Sequence, residues 1–470
     1  MASTVKTERL VVHGGGVASR WPGWVLWVKH LLGLDRAIAF TVLARVTQIL
    51  GSTGTVLLIL RFLTPVEQGY YYTLLSLVSL QVIFELGFSF VILQMAAHEC
   101  AHLTLHRDGR VEGDPVAHAR LASVLQKTLR WYLVAAVILC VSLLPVGAYF
   151  FSRHASAAAP VAWHGPWTLA VFATAFLFLL NPFFSFLEGC GQVWQVGRMR
   201  FAQAILGVAM SWGAFLAHHG LYSPGMVNLG LAAAGLPFLY SRRHLCLGLL
   251  RYPAGERAVS WRSEVWPFQW KIAVSWLSVY LSTSVFTPVL FAYRGPADAG
   301  RLGMSLGIAT YLWTLVLAWM STKATPFGQM IARGEFDRLD RLFFRTLWQS
   351  LAVLTVAAGA CEVGLIGLGR FFPQFAARIV SPGIFALILV TTLAVYVVQS
   401  LAVYLRAHKN EPFLWQSVGV ACLTCGALFL LVPRWGISGV AASYLLCTGV
   451  VGLSSAVAIF RARRKVRLEA

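Results

Sequence analysis

A chain of 470 residues with 58% hydrophobic residues, 12% charged residues and a mean hydropathy of +0.70 is too apolar for a soluble multidomain protein and reads as a polytopic membrane protein. The net charge of +20 raises nucleic acid as a partner, but the placement of the basic residues explains it by topology instead. Eight cysteines (100, 140, 190, 246, 361, 422, 425 and 447) lie mostly inside apolar runs and form no disulfide framework.

The first 37 residues lack the pattern of a signal peptide; Trp21, Trp24, Trp27 and Lys29 suit a stretch lying in the membrane interface. Apolar runs at 38–63 and 70–97 follow, joined by the turn Thr64-Pro65-Val66-Glu67-Gln68-Gly69. Further runs lie at 131–152, 166–190, 201–219, 224–247, 269–293, 302–325, 347–369, 379–404, 412–433 and 436–460. Each is near the roughly 20 residues a helix needs to cross a bilayer, so the chain predicts about twelve transmembrane helices. Alternate connections are rich in Lys and Arg, which puts both termini on the cytoplasmic side, as an even helix count requires. The inward connections 98–130 and 329–346 look amphipathic and are expected on the membrane surface. In the first, Asp114-Pro115 could start a helix with Leu121, Val124 and Leu125 on one face.

An internal echo joins the two halves. Pro65-Val66-Glu67-Gln68-Gly69 and Pro296-Ala297-Asp298-Ala299-Gly300 both read Pro-x-acid-x-Gly, each at the first hairpin of a six-helix set. Proline fixes the turn and the acid can cap the following helix. A six-plus-six duplication places a site between the halves.

Charges within the spans are costly and mark candidate sites. On the first helix Thr41, Arg45, Gln48, Ser52 and Thr55 form one polar stripe; Gln81, Glu85 and Ser89 form another on the second. The seventh carries Lys271, Ser275, Ser278 and Ser282, and the eighth ends at Thr322-Lys323. Arg45, Gln48, Gln81, Lys271, Ser275 and Lys323 are therefore candidate substrate-binding groups in a cationic cavity suited to an anion such as a diphosphate. The competing reading pairs Arg45 with Glu85 as a structural lock and lets both lysines snorkel to the interface. Glu85 and Glu188 are coupling or structural acids, and Glu362 is a further intramembrane acid.

His98-Glu99-Cys100-Ala101-His102 matches the H-E-x-x-H zinc pattern. A zinc site needs a third protein ligand, and the chain offers Asp337 and Asp340 in a basic loop. The motif is better explained as the polar end of a helix. Cys422-Leu-Thr-Cys425 has metal spacing without a second pair. No metal, cofactor or catalytic residue is assigned.

Phe62-Leu63-Thr64-Pro65-Val66-Glu67-Gln68-Gly69-Tyr70 resembles the first-hairpin signature of bacterial oligosaccharide (O-antigen type) flippases, of the multidrug/oligosaccharidyl-lipid/polysaccharide exporter superfamily. Pro296-Ala297-Asp298-Ala299-Gly300 and Gly436-Ile437-Ser438-Gly439-Val440-Ala441-Ala442 look similar to its later signatures, and the likeness of layout spans about residues 38–460. The resemblance implies an all-α polytopic membrane protein with two six-helix lobes around a central cavity lined by helices one, two, seven and eight. It also implies alternating access and transfer of an undecaprenyl-diphosphate-linked glycan across the bacterial inner membrane, for cell-surface polysaccharides such as lipopolysaccharide. The loop 98–130 is longer than that family leads one to expect.

The expected layout is an interfacial segment (1–37), an N-lobe (38–247), a cytoplasmic linker (248–268), a C-lobe (269–461) and a basic tail (462–470). The expected function is a non-enzymatic lipid-linked oligosaccharide flippase embedded among membrane lipids. A coupling cation (Na+ or H+) and a polysaccharide assembly machinery are the further partners to test. The alternatives are a drug or metabolite antiporter of the same superfamily and an intramembrane zinc metalloprotease using His98, Glu99 and His102.

Overall fold

The computed structural model describes residues 36–469 apart from 86, 107–109, 155–159, 254–258, 262–265 and 408–412. The expected interfacial segment therefore lies outside the described residues, save its last two positions. The first half begins with α1 (Arg36–Phe62), then a broken second span made of α2 (Pro65–Val78), α3 (Gln81–Glu85) and α4 (Phe88–Cys100). After a small hairpin, β1 (Leu103–Leu105) and β2 (Val111–Gly113), come α5 (Pro115–His154), α6 (His164–Gly189), α7 (Val193–Leu216) and α8 (Ser223–Ser241). The connecting helix α9 (Arg243–Arg251) leads to the second half: α10 (Trp266–Thr283), α11 (Phe286–Arg294), α12 (Pro296–Ser321), α13 (Ala324–Ala332) and α14 (Phe336–Phe371). The short α15 (Pro373–Ala376) precedes α16 (Pro382–Ala407), α17 (Leu414–Trp435) and α18 (Ile437–Ser443), which runs through a π-helical stretch into α19 (Gly452–Glu469).

Among the described residues, ten helical segments are long and apolar enough to span a membrane. The interrupted α2–α4 and the 19-residue α8 complete the expected twelve. The second span breaks at Gly87, whose φ of +68° favours glycine and whose missing side chain makes room for Ile272 of α10. The chain is an all-α polytopic membrane protein in two lobes. Two apolar cores belong chiefly to the first half and two to the second. The lobes meet mainly where α2 packs on α11 and α12, and where α3 meets α10.

Two expectations are corrected. The connections 98–130 and 329–346 do not carry separate surface helices: α5 and α14 run unbroken for 40 and 36 residues, well beyond the bilayer. Leu121, Val124 and Leu125 are fully buried because the linker covers them. Gln126 Nε2 donates to the carbonyls of Leu249, Leu250 and Tyr252 at the end of α9, and Lys127 Nζ donates to Val259 O at 2.6 Å. The amphipathic face is thus covered by the chain's own linker, which is partly part of the N-lobe rather than free.

Candidate functional site

At the hairpin end the two echoed turns lie against each other. Thr64 and Glu67 form a complete capping box, with Thr64 N donating to Glu67 Oε2 at 2.8 Å and Glu67 N donating to Thr64 Oγ1 at 3.2 Å. This presets the first turn of α2 and aims Gln68, which is fully buried, across the lobe boundary. Its Nε2 donates to Gly300 O at 2.8 Å and Arg378 O at 3.0 Å. Arg378, from the loop before α16, reaches back to the carbonyls of Ile59 and Leu63. Burial lowers its pKa and the nearby Glu67 carboxylate opposes that. A Cβ on Gly69 would overlap the Pro296 carbonyl, and one on Gly300 would stand 2.8 Å from Gly69 N. The seam continues inward as Ser76 Oγ donates to Ser284 O and Tyr280 Oη to Ser76 O. In this conformation the hairpin end is shut.

The candidate binding residues sit toward the opposite, arginine-rich end. Arg45 stands on α1, nine positions after its first residue, Arg36. It lies about 27 Å from the hairpin at 1.5 Å per residue, and Lys323 about 40 Å away along α12. Arg45 is exposed and donates to Gln48 Oε1, also exposed, at 3.4 Å. Lys271 is exposed and Lys323 half-buried at the break between α12 and α13, and among the described residues neither has an ion-pair partner. Gln81 and Ser275 are half-buried on α3 and α10, the elements that meet beside Gly87. Farther along the α1 stripe, Thr55 accepts a hydrogen bond from Trp212 Nε1 at 3.1 Å, so that end packs on α7.

The proposed Arg45–Glu85 lock does not form. The Glu85 carboxylate accepts from Ser89 Oγ at 2.7 Å and lies near the buried Tyr132 of α5, inside the N-lobe. Glu188 is ion-paired with Arg200 at 2.6 Å, a structural contact. Glu362 is half-buried on α14, and its buried Oε2 has no hydrogen-bond partner. That orphan oxygen makes it a better candidate for a titrating acid than Glu188.

The H-E-x-x-H motif is held for another purpose. Glu99 is buried and accepts from Arg120 Nε at 2.8 Å, while the His98 side chain is 78% exposed. Asp340 accepts from Tyr404 and Arg464, far along the chain in the C-lobe. No group of three metal-ligating side chains assembles among the described residues. Removing one member of the Glu99–Arg120 pair strands a buried charge. Glu99→Ala or Arg120→Ala is expected to cost roughly 3 kcal/mol, read as a lowered Tm in detergent. Replacing both with leucine should recover most of the loss.

No protein-family model and no curated protein matches the chain. Solved structures do. The chain is similar to a lipid II flippase MurJ in an inward closed conformation, with 13% identity over 91% of this chain and 87% of that one, and a TM-score of 0.63. A Vibrio cholerae MATE transporter, VcmN, superposes with a TM-score of 0.57 at 11% identity over 92% of this chain and 97% of its own. An inward-facing multidrug resistance MATE transporter of the MOP superfamily gives 0.55 at 12% identity, over 87% and 98%. The chain therefore has the fold of membrane flippases and transporters. Among these three the likeness is greatest to the lipid II flippase, and it extends over both lobes.

Proposed function

We propose that the protein is a flippase for a polyprenyl-diphosphate-linked oligosaccharide, working by alternating access between its two lobes. The observation that carries this reading is the set of three cations, Arg45, Lys271 and Lys323, that no carboxylate neutralises among the described residues. They stand on the first, seventh and eighth spans, at headgroup depth on the arginine-rich side. A diphosphate in that leaflet meets them before its sugar enters the space between lobes, and the prenyl tail stays in lipid. Gln48, Gln81 and Ser275 offer donors and acceptors for sugar hydroxyls. With the hairpin end shut, the conformation is the one that loads from the arginine-rich side. Glu362, with its unpartnered buried Oε2, is the acid to test for coupling to a cation.

The MATE neighbours keep a drug antiporter as the competing reading. A lining of unpaired cations repels a cationic drug and favours an anion. Native mass spectrometry of the purified protein with a polyprenyl diphosphate, the matching polyprenyl alcohol and a cationic dye separates the two. Retention of the diphosphate alone is expected. Retention of the dye in preference to it would overturn the flippase reading.

A further inference from the structure

We infer that the arginine-rich end of the N-lobe holds a second site, for the phosphate of a membrane lipid headgroup, distinct from the three cations of the transport path. A cleft of about 240 Å³ opens there between the ends of α6 and α8 and the β-hairpin, lined by His106, Gln192, Gln195, Ser241, Arg242 and His244. Water occupies roughly 30 Å³ per molecule in the liquid, so this space admits a phosphate ester and not merely a solvent bridge.

Its chemistry is that of an anion receptor. Arg242 Nε donates to Gln192 Oε1 at 2.8 Å, which fixes the guanidinium and leaves its two terminal nitrogens available. No carboxylate pairs with Arg242 among the described residues, unlike Arg120 and Arg200, which are neutralised by Glu99 and Glu188. His106 lines the cleft, with its Nε2 3.2 Å from the Glu112 carboxylate. Helices α7 and α9 both begin at this cleft with no side-chain cap on their first N–H groups, adding partial positive charge. Gln195 Oε1 is buried without any hydrogen-bond partner.

The surroundings place the cleft at headgroup depth. Trp194 at the start of α7 and Tyr240 at the end of α8 are 38% and 68% exposed, the positions of an interfacial aromatic belt. Each is covered by an arginine: Arg198 lies 5.4 Å from the Trp194 ring centre and Arg243 4.1 Å from that of Tyr240. Helix α9 buries Leu245 and Leu249 in the N-lobe core and leaves Arg243 and His244 exposed beside the cleft. A lipid phosphate at this site would tie the interlobe linker and the N-lobe to the bilayer while the C-lobe rocks.

The test uses the purified full chain in detergent, with native mass spectrometry against phosphatidylglycerol, diacylglycerol of the same chains, and inorganic phosphate. One phosphatidylglycerol should be retained per chain and no diacylglycerol. Arg242→Gln should weaken retention about tenfold, and His244→Ala, on an exposed side chain with no folding role, should weaken it measurably. Equal retention by wild type, Arg242→Gln and His244→Ala would overturn the site. Binding of inorganic phosphate that is lost in Arg242→Gln, without selective lipid retention, would overturn the lipid assignment in favour of a soluble phosphate.

Discussion

Replacing Gly69 with leucine is expected to hold the hairpin end open and to abolish transport while leaving each lobe folded. The reason is local and steric. Even a methyl at this position overlaps the Pro296 carbonyl, a backbone atom that no rotamer change can move aside. Overpacking of this kind costs about 1–3 kcal/mol, which shifts the shut population by roughly tenfold to a hundredfold. The affected contacts lie between lobes, since Gln68 would lose its bonds to the Gly300 and Arg378 carbonyls, while the capping box of Thr64 and Glu67 stays within one turn. Spin labels at Val66→Cys and Ala297→Cys should therefore report a short distance in the parent and a longer one in Gly69→Leu, with unchanged helix content. A short distance in both would show that the seam tolerates the side chain and is not a gate.

Removing the three cations is the second large effect. Arg45→Ala, Lys271→Ala and Lys323→Ala should each change stability by no more than about 0.5 kcal/mol, because none of the three has an ion-pair partner among the described residues to strand. Affinity for a polyprenyl diphosphate should fall about tenfold for each charge removed, as charge-assisted hydrogen bonds contribute roughly 1.5–3 kcal/mol. Arg45→Lys should retain part of the effect, since it keeps the charge and loses the fork. A fall in stability with unchanged affinity would instead make these residues structural.

Much of the fold was legible in the sequence because membrane helices announce themselves through length and apolarity. The two-lobe duplication was visible as a short echo around Pro65 and Pro296. That the two turns touch was not visible, since pairing across 232 positions, as from Gln68 to Gly300, leaves no local periodicity. The face of Leu121, Val124 and Leu125 was recognised as apolar, but a surface helix and a helix under a linker carry the same pattern. The partner that decides between them is Val259 and the end of α9, remote in sequence. The β-hairpin does have a sequence signal, the Asp108-Gly109 dipeptide between two short alternating stretches. Charge identity was legible, but charge pairing was not. Glu99 and Glu188 found arginines, whereas Glu85 turned toward Ser89 instead of Arg45.

The most direct test of transport is flipping itself. Wild-type protein, reconstituted in liposomes with a fluorescent polyprenyl-diphosphate oligosaccharide, is followed by quenching of label that reaches the outer leaflet. Faster exchange than in empty liposomes, slowed at least tenfold in Arg45→Ala and blocked in Gly69→Leu, is the predicted result. Exchange no faster than in empty liposomes, from protein whose lobes still open and close by spin-label distance, would contradict the flippase reading.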